Sequence, residues 1–142
     1  MTKTLLLIAF TGLSGLLMAQ SDMATLLPGD PGCNGVVQSD PQWGTVQVGT
    51  QMSCTIQVST PGIYNISVLT KEPLSTISPG QRVFSVTING TVFPNIDIVK
   101  FSPLNRLYEI NMMIVVEKQI TISFTAGVRT ALWTSIVIRP KY

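Results

Sequence analysis

The chain has 142 residues, of which 45% are hydrophobic and only 11% charged, with a net charge of +2 and no histidine. So small and scattered a positive charge gives no nucleic-acid surface. The missing imidazole excludes a Ser-His-Asp triad, a histidine general base and the usual His-rich metal sites. The length suits one small domain with its own core, and the low charge leaves its surface to Ser, Thr, Asn, Gln and Gly, as in an extracellular β-protein.

Residues 1–19 read as a signal peptide: Lys3 is the charged start, Leu5, Leu6, Leu7, Ile8 and Phe10 with Leu16, Leu17 and Met18 form the apolar region, and Ala19 is the small residue for cleavage. Cleavage after Ala24 is the alternative. A membrane anchor is the competing reading, but Thr11-Gly12 and Ser14-Gly15 break an already short run. Residues 20–43 are rich in Pro, Gly, Asp and Ser and are expected to form an irregular arm. The folded domain is expected over 44–142.

Within it the chain falls into strand-sized pieces. Residues 51–58 alternate, with Met52, Cys54, Ile56 and Val58 inward and Gln51, Ser53, Thr55 and Gln57 outward. Pro61-Gly62 turns the chain into a strand over 63–70, and a longer loop follows through Glu72-Pro73 and Ser78-Pro79-Gly80. Phe84, Val86 and Ile88 then share one face, and Asn89-Gly90 supplies the two residues that tolerate φ > 0 in a type I′ hairpin turn. Residues 106–115 and 119–124 form a second hairpin around Glu117-Lys118, and 132–138 is the last strand before Pro140. This succession predicts an all-β antiparallel β-sandwich with Met52, Ile56, Val58, Phe84, Val86, Ile88, Ile120, Ile122 and Phe124 in one core.

The wording PGIYNISVLTKE, then RVFSVTING and NIDIV, then ITISF and IVI, resembles the malectin domain over roughly residues 51–138. The resemblance implies a jelly-roll of the malectin/galactose-binding-like group and a lectin-like role, and it suggests that Glu72 pairs with Arg82, both being part of the family pattern. The aromatic residues that stack on sugar in that family follow the strand-ending Glu, where this chain has Pro73-Leu74-Ser75. The acidic residue that precedes the family's last strand is replaced here by Gly127-Val128-Arg129-Thr130-Ala131. Malectin's own sugar specificity is therefore not carried over.

Export makes Cys33 and Cys54 a candidate disulfide, pinning the arm to the sandwich; the alternative is a free Cys33 and a core Cys54. Asn65-Ile66-Ser67 and Asn89-Gly90-Thr91 are glycosylation sequons, of which Asn89 at a hairpin tip is the more accessible. Catalysis finds little support. Glycoside hydrolysis needs two carboxylates facing one cleft, whereas Glu117 falls in a turn, Glu109 on the outer face and Asp97 at a loop-capping position. No cofactor is called for, and the last strand offers no acidic oxygen for calcium.

The function expected is a secreted, non-catalytic carbohydrate-binding module; the alternative is a structural or adhesive domain that binds an extracellular protein. Partners are an oligosaccharide, glycoprotein or extracellular protein, with no nucleic acid and no membrane span once the signal peptide is cut. Binding is expected at one end of the sandwich, in segments 71–80, 99–106 and 126–131, with Lys71, Arg129 and Thr130 as hydrogen-bond donors and Trp43 and Trp133 as stacking platforms.

Overall fold

The structure, a computed structural model, describes residues 23–41 and 44–141. Residues 1–19, expected to be a signal peptide, and Trp43 lie outside the described residues. Among the described residues eleven strands run in chain order: β1 Ala24–Leu26, β2 Val36–Asp40, β3 Gly44–Gly49, β4 Gln51–Gln57, β5 Gly62–Lys71, β6 Val83–Ile88, β7 Thr91–Ile96, β8 Leu107–Val116, β9 Gln119–Val128, β10 Ala131–Trp133 and β11 Ser135–Lys141. A single helical turn, α1 Ile98–Phe101, lies between β7 and β8. All strand pairings are antiparallel.

Two four-stranded sheets, β1-β11-β5-β8 and β4-β9-β6-β7, form the layers of a β-sandwich. Period-two alternation carries Tyr64, Ile66 and Val68 of β5 inward in one layer, and Phe84, Val86 and Ile88 of β6 in the other, all at most 1% exposed. The outward side of the second sheet is uncharged along its neighbouring strands, with Gln51, Ser53 and Thr55 on β4 and Thr121, Ser123 and Thr125 on β9. Of the nine residues expected in the core, seven are buried, while Ile56 and Val58 are half-buried and pack against it. The turn at Asn89-Gly90 has φ of 42° and 90°, and the Asn89 side chain fastens it to β9 by accepting from Thr121 N at 2.7 Å and donating to Gln119 O at 3.1 Å.

Three expectations are corrected. The arm is not irregular where it is described: Ala24–Leu26 adds to β11, and Val36–Asp40 pairs along β3, because the disulfide between Cys33 and Cys54 and a short bridge between the same residues hold it against β4. The sandwich accordingly starts before residue 44. The strand expected over 132–138 is two strands in two sheets, since β10 joins a third sheet, β10-β3-β2, before Thr134 and β11 joins the first. Thr134 sits at the switch, its N–H donating to Leu69 O and its hydroxyl to Thr45 O, each at 2.9 Å. Finally, β9 extends to Val128, so the loop expected over 126–131 reduces to Arg129-Thr130.

Candidate functional site

The inward register of β5 does not stop at its apolar residues. Continuing past Val68, it carries Thr70 and then Glu72 inward, and the register of β6 read backwards from Phe84 does the same for Arg82. A carboxylate and a guanidinium are thereby buried, at 1% and 7% exposure. Such groups are tolerated only when paired and hydrogen-bonded. Here Arg82 Nε donates to Glu72 Oε1 at 2.5 Å, and Arg82 Nη1 donates to both the carbonyl and the hydroxyl of Thr130 at 2.8 Å. The other carboxylate oxygen accepts from Leu74 N at 3.2 Å. The pair therefore ties the ends of β5, β6 and β9 together at one end of the sandwich.

Two further side chains set the loops over that end. Asp97 caps α1 by accepting from Lys100 N, and its other oxygen accepts from Gly80 N at 2.7 Å. Arg106, at φ 57°, donates from Nη2 to the carbonyls of Leu74 at 2.6 Å and Ile77 at 2.8 Å, while its own carbonyl accepts from Glu72 N at 3.0 Å. Its Nε is buried without a partner. Segments 72–82 and 97–106 are thus locked to each other by polar contacts rather than by strand pairing. On these two segments three large apolar residues face solvent: Leu74 at 44%, Phe101 at 47% and Leu104 at 93% exposure. The Phe101 ring leans on Tyr108, with centroids 5.1 Å apart and planes at 50°.

The expected site residues distribute unevenly. Lys71 ends β5 half-buried, and Arg129 is exposed at φ 60° in the two-residue link from β9 to β10. Thr130 stands beside it, with its polar groups engaged by Arg82. The buried pair thus draws Thr130 and the residue after Lys71 to the same end of the fold. Trp133 is a correction: its exposure is 0%, and its ring stacks on Phe124 at 6.1 Å with planes 13° apart, so it is a core residue and no ligand platform. The reason is that all of β10 is covered on both faces. Its Nε1 has no hydrogen-bond partner. Phe101, Leu104 and Arg106 had no motif to single them out.

Of the carboxylates expected in the sandwich, Glu72 is occupied by Arg82 and Asp97 by two backbone amides, while Glu109 is exposed on the outer side of β8 and Glu117 in the turn before β9. Among the described residues no group of three potential metal ligands gathers. Asn65 is half-buried mid-strand, and Asn89 is exposed, though a glycan on its amide nitrogen would displace the bond to Gln119. No described helix is long and apolar enough to cross a membrane.

Neither a protein-family model nor a curated protein sequence matches the chain. Solved structures do match in fold. The ectodomain of the plant receptor-like kinase FER has a TM-score of 0.63 at 12% identity, over 73% of this chain and 39% of that one. The ANX1 ectodomain from Arabidopsis thaliana scores 0.59 at 14% identity, over 81% and 38%. A β-glucuronidase from Bacteroides uniformis scores 0.58 at 18% identity, over 77% and 14%. This chain therefore spans well under half the length of each of these proteins, and at such identities the likeness is one of fold.

Proposed function

We propose that the chain is an extracellular, non-catalytic binding module that receives a protein or peptide partner on the clasped loop end. The observation that carries this is the exposure of Leu74, Phe101 and Leu104 on two loops that Arg106 and the Glu72–Arg82 pair hold in place. Loops on a rigid sandwich are where binding residues concentrate, and large apolar residues exposed together on such loops mark an interaction site. Lys100 on the second loop, with Lys71 at the end of β5 and Arg129 in the link from β9 to β10, gives its surroundings a positive character. The disulfide suits an oxidising, extracellular compartment, as does the signal peptide read from residues 1–19. The FER ectodomain, similar in fold, has been seen in complex with a plant peptide, RALF23, and with LLG2.

A carbohydrate ligand is the second reading, favoured by the Phe101–Tyr108 ring pair, which supplies an exposed aromatic surface at this end. Branched Leu74 and Leu104 lack the flat π-face that covers a pyranose, which places this reading second. Non-catalytic action rests on the carboxylates: the two nearest the loop end are committed to Arg82 and to backbone amides. The test is binding of the labelled chain to cells that produce it, after protease or glycosidase treatment. Loss with protease and with Leu104→Asp supports the proposal. Loss with glycosidase alone, together with glycan-array binding abolished by Phe101→Ala, favours the second reading.

A further inference from the structure

Every sheet edge among the described strands but one is short, interrupted or covered. β1 and β10 have three residues and β2 five. β7 contains Pro94 and a register shift against β6. β4 is covered by residues 32–34, which bond to Ser53 and Thr55 beside the Cys33–Cys54 bridge. These are the ways native proteins blunt an edge. Beyond the contact of Phe101 with Tyr108 at its start, β8 has none of them. It pairs with β5 over ten consecutive positions without a shift, contains no Pro, Gly, Lys or Arg, and carries one charge, Glu109.

The direction of its free hydrogen-bonding groups follows from the ladder. Glu72 N donates to Arg106 O, so Arg106 and every second residue after it aim their backbone groups at β5. Leu107, Glu109, Asn111, Met113 and Val115 then aim theirs away from the sheet. The core is also open along this edge. Tyr108, Met112 and Ile114 are on the inward face yet only half-buried, whereas Tyr64, Ile66 and Val68 of the neighbouring strand are at most 1% exposed. On the outer face Met113 and Val115 are 59% and 72% exposed.

We infer that β8 is a strand-addition edge and that its occupant is β8 of a second copy of this chain, paired antiparallel about a two-fold axis through Asn111. That axis, normal to the sheet, keeps the inward faces of both copies on one side. It sets Tyr108 against Ile114 and Ile110 against Met112, closing the half-buried flank with apolar residues. On the outer face it sets Leu107 against Val115 and Glu109 against Met113, so the single carboxylate of the strand never meets its own copy. A self-complementary strand is what an isologous interface requires. Tyr108 apart, whose ring also touches Phe101, the proposal uses residues outside the loop end and stands whether or not that end binds a partner.

The test is sedimentation of the purified chain from about 1 μM to about 1 mM, a range that brackets a dissociation constant on the order of 10 μM, suited to an interface at the small end of the size range. A dimer is expected. Asn111→Asp keeps the acceptor for Ser67 Oγ but sets two carboxylates face to face in the dimer alone, and it is expected to weaken dimerisation at least about tenfold, as juxtaposed like charges do. Asn111→Pro removes an N–H that β5 does not use and is expected to abolish the dimer with the circular dichroism unchanged. Should that variant lose its fold, Asn111→Asp decides alone. A chain monomeric at the highest concentration, or a dimer unmoved by Asn111→Asp, overturns the inference.

Discussion

Removing Arg82 is the most informative perturbation of the loop end. In Arg82→Ala, Glu72 stays buried with only the 3.2 Å bond from Leu74 N, and Thr130 loses both of its contacts to the guanidinium. Breaking a buried pair from one side costs about 3–5 kcal/mol, mostly because a desolvated charge is left behind. Two neutral-acceptor bonds to a charged donor would alone account for about 3 kcal/mol, so the estimate lies within what the geometry can supply. The double variant Arg82→Leu with Glu72→Leu removes both charges and keeps apolar volume. It should therefore cost clearly less than the sum of the single changes, with a coupling of about 2 kcal/mol or more between contacting residues. Urea unfolding with the disulfide intact, monitored by circular dichroism, gives each value. A single variant costing under about 1 kcal/mol, the range of exposed pairs, or an additive cycle, would refute the buried-clasp argument.

Two further outcomes follow from the same contacts. Cys33→Ser with Cys54→Ser opens a loop whose ends are 21 residues apart, and it should lower stability by about 3 kcal/mol in the same unfolding assay, while releasing the bridge that covers β4. Trp133→Ala should cost about 3–5 kcal/mol as a large core truncation, whereas Trp133→Phe should leave partner binding to cells unchanged, since the ring never reaches solvent.

How far the sequence carried this account depends on which physical signal each residue obeys. The hairpin at Asn89-Gly90 and the core of β6 and β9 were legible because a two-residue turn and period-two alternation are local. Glu72 and Arg82 were legible through the family pattern, and the observed parity explains it: both continue inward-facing registers and can only be buried as a pair. Asp97 read correctly as a loop cap, which needs only a carboxylate near free backbone amides. Trp133 did not read correctly, because alternation assumes one open face and β10 has none. The strands at 24–26 and 36–40 were hidden for another reason: the first is set by partners far along the chain, Ile138 to Ile136, and the second pairs with the next strand, Val48 to Gly44, in an arm held by a disulfide that local pattern cannot see. Leu74 and Leu104 carried no mark of exposure, as an aliphatic residue in a loop reads equally as core until the clasp by Arg106 is known.

The claim that the clasped loops receive the partner is tested most directly by crosslinking from defined positions. A photoreactive residue replaces Leu104, 93% exposed on the loop end, or Thr55, exposed on the uncharged outer face of β4, and each chain is irradiated on the cells it binds. The account predicts one adduct of the same mass from position 104 in repeated trials and none from position 55. An adduct from position 55 with none from 104 would place the partner on the sheet face and contradict it.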